Sequence, residues 1–163
     1  MDPENRLLWR ANWQRMDAET LRDSLLYVAG NLDLQAGGPP LPLNEENHRR
    51  TVYGFVSRRK PDPTMALFDF PNPNNTSEQR VVTNVPLQRL YLMNSSFVEQ
   101  QAAGLAKRLT GDEGDRLRQI YRLLFGRQPS SEEVQLGLDF VHKSNWTEYA
   151  RVLLNSNEFE WVN

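Results

Sequence analysis

The sequence contains no cysteine, so disulfides, thiolate nucleophiles, iron-sulfur ligation and cysteine-based zinc sites are all excluded within the chain. That absence says nothing about compartment. Histidine is scarce, with only His48 and His142. Charge of one sign is lacking too: 19 basic residues face 21 acidic ones, for a formal net charge of -2. Without an excess of cations there is nothing to hold nucleic acid or an anionic membrane by counterion release. No run approaches the ~18 apolar residues of a membrane span, and the start "MDPENRLLWRANWQR" is charged where a signal peptide is apolar. Absent as well are a G-x-S-x-G elbow, a P-loop, a dinucleotide fingerprint, a calcium-loop frame and a haem-attachment motif.

What remains is globular in composition: 39% hydrophobic, 25% charged and 10% aromatic over 163 residues. A domain of this length buries roughly 70% of its unfolded surface, enough for one real core. The reading is a single helical domain over 1–163. Because the chain begins inside a helical pattern, it reads as a piece excised from a larger protein.

Helical signals dominate. In "PENRLLWRANWQR", Trp9 and Trp13 are four apart and predict one face of a first helix. Asp17 can cap the next, in which Leu21, Leu25 and Val28 recur at helical spacing before Gly30 stops it. Residues 31–50, with Gly37, Gly38, Pro39, Pro40 and Pro42, read as a loop with extended pieces. "TVYGFVSRRK" fits both alternation and a helical stripe, and helix is favoured. "TMALFDF" predicts a short helix ended by Pro71 and Pro73. Pro86 opens another, with Leu87, Leu90 and Tyr91 as its stripe and a break at Asn94 to Ser96.

Four further helical patterns follow. Ser95 or Ser96 caps one with Phe97, Ala102, Leu105 and Leu109 on its face, closed by Gly111. "DEGDRLRQIYRLLFG" places Leu117, Ile120, Tyr121 and Leu124 on one side. Ser130 and Glu133 have capping-box spacing ahead of Val134, Leu138 and Val141. Asn145 caps the last, with Trp146, Tyr149, Val152 and Leu153, after which Phe159 and Trp161 pack the tail. Short joints predict antiparallel neighbours. The fold class is therefore all-α: a compact multi-helix bundle with a long Pro/Gly/Asn-rich irregular segment in the first half.

Chemistry is thinner. His142 falls in a last helical turn, where a cation suits the dipole. Asp112-Glu113 and Glu132-Glu133 are adjacent pairs at helix starts, about 100° apart and poorly placed to flank one bond. Arg116, Arg118, Arg122 and Arg127 follow Asp112, Glu113 and Asp115 and read as intrahelical pairs. Asp69, Asn72, Asn74 and Asn75 offer oxygens to a hard cation, but Asx-turns explain them more simply. "HRR" and "RRK" bracket Tyr53 and Phe55, either as a solvated face or as a holder of phosphate, carboxylate or sugar. The candidate ligand or partner surface is Arg49, Arg50, Tyr53, Arg58, Asp69, Arg80, Thr83 and Asn84. No catalytic residue, metal site or cofactor is assigned.

The ordered series "MDAETLRDSLL", "GGPPLP", "HRRTVYGFVSRR", "MALFDFPNPN", "RVVTNVPLQRLYLMNSSFV", "YRLLFGRQPSSEE" and "VLLNSNEFEWV" resembles domain of unknown function 1553. That is the uncharacterised C-terminal domain of large planctomycete-type, cytochrome-c-associated bacterial proteins. Arg89 and the run Met93 to Ser96 depart from the pattern. The resemblance implies an exported parent polypeptide, hence an extracytoplasmic location, with neighbouring domains of that polypeptide as partners. Any haem would belong to another part of it. The expectation is a non-enzymatic interaction or scaffold module; the alternative is a carbohydrate-binding or carbohydrate-processing part of a polymer-degrading system.

Overall fold

The computed structural model describes residues 5–7 and 11–162, and the molecule is all-α, with eight helices among the described residues. The chain enters as a two-residue strand, β1 (Gln14–Arg15), then runs through α1 (Ala18–Ala29), a 3-10 turn at Thr51–Tyr53, α2 (Pro63–Leu67) and α3 (Pro86–Asn94). It continues through α4 (Ser96–Arg108), α5 (Glu113–Phe125), α6 (Ser131–Lys143), α7 (Trp146–Leu154) and α8 (Asn157–Glu160), ending in β2 (Trp161–Val162). β2 pairs antiparallel with β1, Gln14 opposite Val162 and Arg15 opposite Trp161.

The helix ends follow local chemistry. Asp17 accepts from Thr20 N–H, Ser130 and Glu133 complete the capping box, and Asn145 accepts from Glu148 N–H. Gly30 ends α1 in the left-handed region at φ 78°, and Arg108 from the end of α4 donates to the last-turn carbonyls of Tyr27 and Val28 at 2.9 and 2.5 Å. α4 is the central helix, packed against α1 on one side and α7 on the other. Leu26, Leu92, Val98, Leu105, Leu117, Ile120 and Leu154 are buried along one continuous core that extends from Ala18 to Phe159.

Four expectations are corrected. The first predicted helix is absent where its residues are described: 11–13 are irregular and Gln14–Arg15 form β1, while Trp9 lies outside the described residues. Backbone pairing with the far end of the chain overrides local periodicity. "TVYGFVSRRK" forms only the 3-10 turn, because Asp23 captures both the N–H and the hydroxyl of Thr51 and the chain then runs extended beside Leu41. On α3, Leu87 and Leu90 face solvent, and the buried residues are Gln88 and Leu92. Val152 of α7 is likewise exposed.

One packing detail is testable. A Cβ at Gly137 on α6 would lie 2.6 Å from Tyr149 Oη and 2.8 Å from Leu117 Cδ2. Tyr149 is buried, with its ring against Phe140 and Trp146, and that burial pushes its phenol pKa up. Gly137→Ala should gain about 1 kcal/mol of helix propensity and lose about 1–3 to overpacking. A lowered urea midpoint is the expected result; an unchanged or raised one would show that the ring can yield.

Candidate functional site

The first-half loops are held by side chains from α1. Arg22 falls on the apolar stripe of that helix, between Leu21 and Leu25, and is 6% exposed. It donates to the backbone oxygens of Asn47 and, at 3.1 Å, of Arg49, and to Thr51 Oγ1 at 3.2 Å. Burial lowers its pKa from the ordinary guanidinium value, partly offset by neighbouring Asp23. Asp23 accepts from Thr51 N–H at 2.7 Å, Thr51 Oγ1 at 2.6 Å and Arg50 Nε at 3.3 Å. Arg49 stacks 4.6 Å over the Tyr53 ring while donating to the backbone oxygens of Gly37 and Pro39. Thus Arg49, Arg50 and Tyr53 come together as a loop clamp.

Asp69, Thr83 and Arg80 gather at a second place. Asp69 sits in the left-handed region at φ 63°, which a short polar side chain tolerates. Its carboxylate accepts from Thr83 N–H at 2.7 Å and from Thr83 Oγ1 at 2.9 Å. Arg80 makes a two-pronged pair with Glu19 at 2.7 and 2.6 Å. Arg58 participates only through its backbone oxygen, which accepts from Asn74 Nδ2 at 2.8 Å, and Asn72 forms an Asx-turn onto Asn74 N–H. Asn84 is exposed.

Sequence reasoning missed the hub of this second place. Gln88, fully buried on α3, accepts from Arg15 Nη1 at 2.6 Å and Val85 N–H at 3.1 Å, and donates to Leu67 O at 2.9 Å and Thr83 Oγ1 at 3.2 Å. Arg15 also donates to Glu160 Oε2 at 3.2 and 2.9 Å, and Arg89 reaches the other oxygen of the same carboxylate. Arg89, the departure from the expected motif, also bonds Asn155 O and Asn157. A polar residue on a buried stripe signals Arg22 and Gln88; nothing local signals Arg15 with Glu160.

On the far side of the bundle Arg118 pairs with Asp115 as expected, but Arg127 crosses to Glu133 and Glu158. Its guanidinium holds the Glu133 carboxyl down to about 2. His142 rests on Glu113 at 2.9 Å. Among the described residues no group of three or more His, Asp or Glu is placed to hold a metal ion.

Between these clusters lies a cleft of about 350 Å³, bounded by α1, α2, the joint of α3 and α4 and the loop at Leu43 to Glu45. Arg22, Met65, Phe68, Tyr91 and Phe97 are among its lining residues. Arg22 stacks 5.4 Å from the Phe97 ring centre, and Phe68 meets Tyr91 edge-on at 5.5 Å. Leu43 and Met65 separate it from a more apolar groove of about 300 Å³ along Phe55, Val56, Phe70, Pro71 and Pro73.

A search of the curated proteins and one of the solved structures gave no match. The motif series, by contrast, has a counterpart in an established family, described as PSD1, protein of unknown function (DUF1553), which matches residues 1–141. With most of its length matched, the chain belongs to the PSD1 (DUF1553) family.

Proposed function

We propose that this chain is a non-enzymatic interaction module, packing against a neighbouring domain of an exported, cytochrome-c-associated polypeptide. The observation that carries the reading is on α3: Leu87, Leu90 and Met93, three residues apart, are 63%, 52% and 56% exposed. Val81 and Val82, on the segment leading into α3, are exposed as well. Surface leucines are unremarkable singly, but an apolar row on one side of a helix is what an interface uses. The charged residues support the same reading. Arg49 and Asp69 hold the chain's own loops, and Arg50 and Arg80 pair with Asp23 and Glu19 of α1. A neighbouring domain is favoured as occupant by the motif resemblance, in which this domain follows others in one polypeptide.

The test is size-exclusion chromatography with light scattering on this chain mixed with the rest of its parent polypeptide. A complex is expected at micromolar concentration, lost in a Leu87→Glu/Leu90→Glu variant. Since both side chains are exposed, each change should alter stability by less than about 0.5 kcal/mol. Absence of a complex, a complex indifferent to the two substitutions, or turnover abolished by changing one cleft residue would overturn the proposal.

A further inference from the structure

The cleft between α1, α2 and the α3–α4 joint gathers several polar side-chain groups that the chain's own hydrogen bonds leave unused. At the loop clamp and around Gln88, most side-chain donors and acceptors bind inside the chain, although Arg49 Nε is buried there without a partner. In the cleft, Thr64 Oγ1, Tyr91 Oη, Ser95 Oγ, Asn44 Nδ2 and Asn94 Oδ1 belong to lining residues and take no part in the side-chain hydrogen bonds of the described residues. Ser95 is the residue before α4, yet its hydroxyl makes no capping bond. Thr64, Tyr91 and Ser95 are partly buried, where an unpaired hydroxyl is costly if water is displaced without replacement.

The charged groups here are, in contrast, already engaged. Arg22 is held by three loop oxygens. Glu45 accepts from Ser96 Oγ and from Gln100 Nε2, which places a carboxylate at the positive start of α4. An anionic ligand would therefore meet Glu45 at the helix end that attracts it, and a cationic one would meet Arg22. A purely apolar ligand would fill the space and strand the free hydroxyls and amides. What satisfies them is a neutral molecule with several hydroxyl groups, each able to donate and accept. Its C–H faces would lie against Phe68, Tyr91 and Phe97, all of which line the same cleft. A volume of about 350 Å³ is at the small end for ligand pockets and suits one ring.

We propose that the cleft is a binding site for a single neutral, polyhydroxylated ring of monosaccharide size, held by Thr64, Tyr91, Ser95, Asn44 and Asn94. Leu87, Leu90 and Met93 do not line the cleft, so the proposal stands or falls independently of the docking surface.

The experiment is an amide NMR titration of the whole chain with D-glucose, D-mannose, D-galactose, D-xylose and N-acetyl-D-glucosamine. Sodium acetate, inorganic phosphate and toluene are run in parallel. Saturable shifts confined to residues 43–45, 64–68 and 91–97 are expected with at least one sugar. Thr64→Val and Tyr91→Phe should each weaken that binding about ten-fold, the loss of roughly one well-placed hydrogen bond. Because neither removed group holds the fold, both variants should melt with the parent, so weaker binding cannot be ascribed to unfolding. Three outcomes would overturn the proposal: no sugar gives saturable shifts there, acetate, phosphate or toluene does so instead, or both variants bind sugar as the parent does.

Discussion

Glu160→Ala is expected to destabilise the fold by about 3–5 kcal/mol, the cost of leaving a buried charge without its partner. The side chains of Arg15 and Glu160 are 3% and 1% exposed, and they join at 2.9 Å. Removing the carboxylate leaves Arg15 with two neutral acceptors, Gln88 Oε1 and Thr83 O, both at 2.6 Å. Those bonds orient the guanidinium but do not neutralise it. The loss is large against the 5–15 kcal/mol typical of a whole domain, and it reaches three stretches of chain at once: β1, the segment entering α3, and the C-terminal turn. An Arg15→Met/Glu160→Leu double variant should recover most of the loss, because replacing both ions by apolar groups removes the desolvation penalty along with the attraction. Urea unfolding of the parent, Glu160→Ala and the double variant distinguishes the cases. A loss under about 1 kcal/mol in Glu160→Ala would mean that Arg15 finds water once its partner is gone.

That pair also marks the limit of what the chain discloses before folding. From residue 112 onward, helices are legible because each carries its own start or stop: Ser130 with Glu133, Asn145 with Glu148, Gly126 at φ 68°. The predicted capping and apolar faces there depend on neighbours within a few residues. Gln14 and Arg15 obey a different constraint, since their partners are Trp161, Val162 and Glu160. No local window contains that pairing. Residues 51–53 fail for a related reason, because Asp23 on α1 decides the geometry of Thr51.

The candidate surface was legible as chemistry but not as purpose. Arginines, Asp69 and Thr83 stand out for their polarity, and the sequence cannot say whether such groups face a ligand or the chain's own carbonyls. In Arg49 and Asp69 they bind the chain itself. Tyr91 shows the converse: periodicity reads it as one more stripe residue, and only its place beside Phe68 on the cleft wall brings its hydroxyl into view.

Leu105→Ala should cost about 2–5 kcal/mol and lower the stability of both halves together. Leu105 is fully buried on α4, the helix that contacts both α1 and α7. Truncation removes apolar area and leaves a cavity whose cost depends on how far the neighbours collapse. If 1–163 folds as one domain, the two sides of α4 cannot lose this contact separately. With a urea m-value of about 2 kcal/mol/M, the midpoint should fall by roughly 1–2.5 M while m stays constant. Far-UV circular dichroism follows the helices, and tryptophan fluorescence follows Trp13 near β1 together with Trp146 and Trp161. Coincident curves from the two probes are the expected outcome. A split transition, with the α5 to α7 helices surviving after the α1 region has melted, would mean that α4 belongs to a C-terminal unit on which α1 and its clamped loops merely dock. The Arg22 and Asp23 contacts would then stabilise an appendage, and the cleft would open with it, since α1 and α2 form one wall and the α3–α4 joint forms the other.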